Sequence, residues 1–148
     1  MSAEEAVADV YRRLIDGWNS NNAGDMAAAV AHDGLVIGYD GSQMQGRERV
    51  RDELGAIFQH HRTATYITKL RSTRALSPDI GLLHAVAGMV PPGGSEIVPQ
   101  RNAIQTVVAC RGDDGWSAAL FQTTPAQFHG RPELADSLTA ELAALLSG

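Results

Sequence analysis

The sequence is poor in the residues that usually announce chemistry. It has a single cysteine, Cys110, so no disulfide can close within the chain and no thiol cluster can hold a metal. Cys110 falls in a predicted strand and reads as a buried, inert thiol. No run of Lys or Arg exceeds two residues and the net charge is -5, which argues against nucleic acid or an anionic membrane as partner. No apolar run reaches the length of a membrane span. The stretch Met1-Ser2-Ala3-Glu4-Glu5 is acidic and does not read as a signal peptide; with the lone cysteine it leads us to expect a cytoplasmic protein.

Ligating and cofactor-binding patterns are also missing. No two histidines are spaced i, i+4, and the adjacent His60 and His61 would diverge by about 100° on a helix, so no metal site is expected. Gly93-Gly94 follows two prolines rather than a strand, no glycine-rich dinucleotide fingerprint occurs, and no Gly-x-Ser-x-Gly elbow is present. No bound cofactor is expected. Between Thr63 and Thr124 the carboxylates are Asp79, Glu96, Asp113 and Asp114, all in predicted turns, so no acid is expected to project from the middle of a strand.

What is present is a clear change of period. The chain, 44% hydrophobic, reads as one domain over 1–148. Val7, Val10, Tyr11, Leu14, Ile15 and Trp18 mark one face of a helix that starts near Ser2. Asp25 is the expected N-cap of a short second helix, Met26 to Ala31. Asp33-Gly34 reads as a turn, Leu35 to Tyr39 as a strand, and Asp40-Gly41 as a hairpin turn into Ser42–Gln45. A third helix follows Gly46, with Val50, Leu54, Ile57 and Phe58 on one face. From Thr63 the pattern turns to strands, at Thr63 to Ala75 and Ile80 to Val90, and then to a hairpin over Gln100 to Thr124. With Asp113-Asp114 as its loop, Arg111 faces Trp116, Ala109 faces Ala118, Val107 faces Leu120 and Gln105 faces Gln122, all expected on one inward face. Residues 131–147 read as a C-terminal helix with Leu134, Leu138, Leu142 and Leu145 on one stripe. The predicted fold is α+β, with helices on one side of a curved antiparallel sheet.

This order resembles the nuclear-transport-factor-2-like (NTF2-like) cone, in its SnoaL-like branch. Trp18-Asn19 with Gly24-Asp25, then Asp33, Asp40-Gly41 and Gly46-Arg47-Glu48, carry the resemblance in the first half. Ser77 to Ala85, Asn102 to Thr106, Gly115-Trp116, Phe121 to Thr124 and Arg131-Pro132-Glu133 look like the SgcJ/EcaC-type subgroup, apart from Thr123, where that subgroup is expected to carry Asn. The resemblance implies a pocket between sheet and helices, a homodimer paired through the outer sheet faces, and a place in bacterial natural-product pathways such as those of enediyne polyketides. The subgroup often carries an oxidoreductase label. Relatives of ketosteroid-isomerase type use a strand carboxylic acid, and those of epoxide-hydrolase type an Asp/Arg/Asp set on adjacent strands; neither pattern can be placed here.

Several side chains remain as candidates. Asp33 and Asp40 read as turn or capping residues, and His60 and His61 as a helix end. His84, mid-strand among Leu82, Leu83, Ala85 and Val86, is either a satisfied core imidazole or a general base. Gln105 and Gln122 satisfy one another, face a ligand, or face a partner subunit. Trp18 either plugs the core or lines a pocket, with Tyr39, Met44 and Phe58 on the helical side and Leu120 on the sheet. The expected function is binding of a hydrophobic, oxygenated, polyketide-like small molecule, with proton transfer, cyclisation or isomerisation as the chemistry if there is any. A non-catalytic binding or accessory module is the alternative, and a cofactor-dependent oxidoreductase a third.

Overall fold

The computed structural model describes residues 1–146; residue 147, the last of the helix expected over 131–147, lies outside the described residues. Helix α1 (Ala3–Asn19) opens with a capping box: the Ser2 hydroxyl accepts from the Glu5 N–H, and the Glu5 carboxylate accepts from the Ser2 N–H. Its apolar stripe, from Ala6 and Val7 through Leu14, is buried. Helix α2 (Ala23–Ala28) starts earlier than expected. Asn22, not Asp25, is its N-cap, because the Asn22 carboxamide accepts from the Asp25 N–H. Strands β1 (Val30–Ile37) and β2 (Gln43–Gln45) form the small hairpin, helix α3 (Arg47–His60) follows, and β3 (Thr65–Ser77) and β4 (Ile80–Val90) begin the long meander. A 3-10 turn at Pro99–Arg101 leads into β5 (Ala103–Gly112) and β6 (Gly115–Pro125), and α4 (Pro132–Ala143) closes the described chain.

The six strands form one sheet in the order β2-β1-β6-β5-β4-β3. Every neighbouring pair is antiparallel except β1 with β6, which run parallel. Helices α1, α2 and α3 cover the concave face, and the main core lies between them and the inward side chains of the sheet, among them Val36, Leu83, Val107 and Phe121. Contact is close enough to require glycine: a Cβ on Gly81 of β4 would stand 2.5 Å from the carbonyl oxygen of Ala3, where α1 begins.

The hairpin of β5 and β6 keeps the expected register only near its turn. Arg111 pairs with Trp116 and Ala109 with Ala118, but Val108 then pairs with Leu120, so Ala119 is an extra residue on β6. This is a β-bulge. Beyond it Val107 faces Phe121 and Gln105 faces Thr123, and Leu120 and Gln122 turn to the outer face. The partner strand explains the site of the bulge. Strand β1 has its own irregularity between Val30 and Leu35 at the same level, and the Ala118 N–H bonds to the Ala29 carbonyl at 2.7 Å. Asp33-Gly34 therefore belongs to an irregular stretch of β1 rather than to a turn, and a Cβ on Gly34 would meet the Ala118 carbonyl at 2.5 Å.

Helix α4 packs on the opposite, outer face of the sheet. Leu138 and Leu142 join Val86, Val90 and Ile97 in a second core, while Leu134 and Leu145 of the predicted stripe stay exposed. Asn102 donates from Nδ2 to the Thr139 hydroxyl at 2.7 Å, and Glu141 takes both Arg71 and Lys69 of β3.

Candidate functional site

Between the helices and the concave sheet lies a cavity of about 500 Å³. Its helical side is built from Trp18, Met26, Leu54 and Ile57, and its sheet side from Val36, Met44, Tyr66, Met89, Phe121 and Thr123. Tyr39, Asp40, Ser42, Thr63, Ala64 and Arg101 complete the wall. The lining is predominantly apolar, with a few polar groups set into it, which is the composition of a small-molecule pocket.

The local sequence shapes this end of the molecule through Trp18 and Asn19. The Trp18 indole N–H donates to the Ala64 carbonyl at 2.8 Å, and its ring meets Phe58 edge-on with centroids 5.4 Å apart. Asn19 then acts as a strand neighbour for β3: its Oδ1 accepts from the Tyr66 N–H at 2.9 Å and its Nδ2 donates to the Tyr66 carbonyl at 3.0 Å. This pair of bonds ties the end of α1 to the start of β3 and delivers the Tyr66 ring to the concave face. Across the cavity, the Tyr39 hydroxyl donates to the Gln100 carbonyl at 3.0 Å, joining the end of β1 to the 3-10 turn that carries Arg101.

Behind the cavity wall lies a buried polar chain. The Tyr11 hydroxyl donates to Gln105 Oε1 at 2.5 Å, and Gln105 Nε2 donates to Thr123 Oγ1 at 3.2 Å. Gln105 is fully buried and Thr123 nearly so. Burial pushes the Tyr66 phenol up to about 12, a shift partly offset by hydrogen bonding with Thr123, and burial raises the Tyr11 phenol as well. Both tyrosines are therefore protonated hydroxyls at neutral pH.

The structure gathers Trp18, Tyr39 and Met44 around the cavity and leaves the other sequence candidates elsewhere. Phe58 braces Trp18 and does not line the wall. Gln105 lies behind the wall, spent on Tyr11 and Thr123. Its expected partner Gln122 is on the outer face, where its amide reaches the Thr124 hydroxyl at 3.5 Å, and Leu120 is outside with it; the bulge at Ala119 is the reason for both. His84 is also outside. Alternation along β4 sends Leu83 and Ala85 inward and His84 outward, opposite Thr106 and Ser72, and its side chain is exposed. It lines a separate cleft of about 340 Å³ beneath α4, with Arg71, Ile104, Phe128, Leu134 and Glu141. A role for His84 as a base in the cone is thus excluded by its face.

Cys110 sits half-buried on the outer face, its thiol raised first by burial and then by the charge of Asp33. Asp40, at the cavity wall, is held below the usual carboxylate range by the Ser42 N–H, which it accepts at 2.9 Å. Among the described residues no group of three or more His, Cys, Asp or Glu comes together to hold a metal ion, and no helix is long and apolar enough to cross a membrane.

Sequence reasoning missed Tyr66, Met89, Thr123 and Arg101. Tyr66 and Met89 were legible as inward positions of their strands, since they pair directly and share a face. Thr123 was hidden by the bulge.

No family model matches the chain, and no curated protein matches its sequence. Solved structures do match. A domain of unknown function with a cystatin-like fold from Nostoc punctiforme superposes with a TM-score of 0.79 at 20% identity, covering 99% of this chain and 98% of that one. A ketosteroid isomerase-like protein from Erwinia carotovora atroseptica superposes at 0.64 with 12% identity, covering 83% of this chain and 95% of its own. An NTF-2 like protein of unknown function from Shewanella oneidensis also reaches 0.64, at 9% identity, with 81% of this chain and 97% of that chain covered. A helix-covered, curved sheet, shared at this level with proteins so distant in sequence, gives the chain the NTF2-like fold.

Proposed function

We propose that this protein binds a hydrophobic, oxygenated small molecule in the cone, as a non-catalytic binding or accessory module of the SnoaL-like branch and SgcJ/EcaC type, working in bacterial secondary metabolism on a polyketide-like compound. The observation that carries the reading is the hollow itself, a largely apolar space of about 500 Å³ with Tyr66 and Thr123 among the residues of its wall. A packed core closes such a space, because an empty apolar cavity costs stability in proportion to its volume.

Binding is favoured over acid–base catalysis by the protonation of what lines the cavity. Its ionisable side chains are Tyr39, Tyr66, Asp40 and Arg101. Tyr66 is raised and Asp40 lowered, so neither is tuned toward the neutral range that a general base needs. With His84 on the other face, the base left at the wall for proton transfer, cyclisation or isomerisation is the Asp40 carboxylate, which already accepts from the Ser42 N–H.

A homodimer through the outer sheet face is part of the same proposal. Leu35, Leu120, Val108 and Leu82 stand in one row across β1, β6, β5 and β4, pointing away from the core. Helix α4 occupies the β3–β4 end of that face and leaves this row clear.

Native mass spectrometry of the purified protein tests the binding reading, together with titration by 8-anilinonaphthalene-1-sulfonate. One small molecule per chain is expected, displaced by the dye, and Met89→Trp should abolish uptake of both by filling the cavity. A wild-type protein that takes up neither, at a stability unchanged by Met89→Trp, would overturn it.

A further inference from the structure

The polar chain behind the cavity wall has a direction. A separation of 2.5 Å between the Tyr11 hydroxyl and Gln105 suits O–H···O contact, and 3.2 Å between Gln105 and Thr123 suits N–H···O contact, so the carboxamide oxygen faces Tyr11 and its nitrogen faces Thr123. Gln105 therefore donates to Thr123, and the Thr123 oxygen is already an acceptor. Its own proton must go elsewhere.

Tyr66 lines the same cavity as Thr123, and hydrogen bonding with Thr123 offsets part of the rise that burial gives its phenol. Two hydroxyls hold two protons, and a bond between them uses one, whichever way it points. At least one proton is left over. Among the described residues neither hydroxyl donates a hydrogen bond to a further side chain or carbonyl: Thr123 is otherwise met by Gln105 alone, as acceptor, and both side chains line the cavity. A donor left without an acceptor when the cavity is filled carries a desolvation penalty, and a ligand that supplies the acceptor removes it.

We infer that the ligand presents an acceptor oxygen, a carbonyl in the simplest case, to the hydroxyls of Thr123 and Tyr66, and that Tyr11 and Gln105 are positioning residues that hold Thr123 as a donor. This rests on the reading of the cone as a ligand pocket. A neutral acceptor fits better than a carboxylate, because the cation on the wall, Arg101, is exposed to solvent while Thr123 is buried in an apolar setting. A ligand offering only an N–H or O–H at this point would set donor against donor.

Three probes of one shape separate the cases: 9-fluorenone carries a carbonyl, fluorene carries neither donor nor acceptor, and carbazole carries a donor. Their dissociation constants, measured on the full chain by equilibrium dialysis, are expected to favour fluorenone about five- to tenfold over the other two, the range of one or two net hydrogen bonds. Thr123→Val with Tyr66→Phe should bring the fluorenone-to-fluorene ratio to about one, and the infrared carbonyl stretch of bound fluorenone should move back toward its value in hydrocarbon. Gln105→Leu should shrink the ratio while leaving fluorene affinity unchanged; a merely structural role would weaken both probes alike. Equal binding of all three, or tighter binding of carbazole, overturns the inference and leaves the pocket reading standing. Uptake of none removes the pocket reading, and this inference with it.

Discussion

Tyr11 and Gln105 illustrate how far a single side chain can be read in isolation. The sequence marks Gln105 as an inward amide and asks what satisfies it. The answer comes from a helix 94 residues away, whose Tyr11 hydroxyl reaches Gln105 Oε1. Removing that hydroxyl with Tyr11→Phe leaves a buried carbonyl oxygen unpaired, which should cost about 1–3 kcal/mol. Urea denaturation should show the midpoint falling at an unchanged slope. An unshifted midpoint would mean that water or a rearranged amide takes the place of the phenol. His84 carries the opposite lesson. Its strand was correctly bounded, yet a residue in an alternating strand has two faces to choose from, and apolar neighbours on both sides, Leu82 with Leu83 and Ala85 with Val86, gave no way to choose. Helix α4 makes both faces of β4 partly buried, and so erases the contrast that burial usually writes into a sequence.

Helix α4 is held to the sheet by two kinds of contact. Leu138 and Leu142 supply the apolar part, and Glu141 bridges to Arg71 and Lys69. The two cations hold the Glu141 carboxyl down at about 2 from an ordinary value of 4.5. A lowered folded-state value means that the ion pairs stabilise fully above about 4.5, and that this contribution fades as the pH falls toward 2. The thermal midpoint of the wild type should thus drop more steeply between those limits than that of Glu141→Gln, which has no charge to lose. Superimposable profiles would assign the docking of α4 to its leucines alone. The group is partly exposed and the effect should shrink in high salt.

For the molecule as a whole, the proposed homodimer turns on the outer face. The row of Leu35, Leu120, Val108 and Leu82 is apolar, half-buried in the single chain and free of α4. Leu120→Arg places a charge at its middle without touching the cavity. Sedimentation should then find a monomer that still binds the fluorenone probe, against a dimer for the wild type. A wild type that sediments as a monomer at high concentration would remove the dimer from the proposal. The separation of the two faces explains why the test is clean: the sheet is one layer thick, and alternate residues serve different purposes on its two sides.

Local patterns were enough to place α1, the turn at Asp113-Asp114, the span of β4 and the order of helices before strands. Each depends on neighbours a few residues apart: Ser2 and Glu5 in the capping box, the stripe from Val7 to Trp18, the glycines that bound the turn. The fold class followed from that order. Register and face did not. The bulge at Ala119 arises where β1 docks in parallel on β6, with Ala29 bonded to Ala118 and no room for a side chain at Gly34, and those partners are some ninety residues apart in the chain. One inserted residue reverses every side chain beyond it, which sent Leu120 and Gln122 out and brought Thr123 in. Whether the helices would meet the sheet closely or leave a hollow depended likewise on how α1, α2 and α3 pack together, a property of volumes in three dimensions that no spacing along the chain encodes.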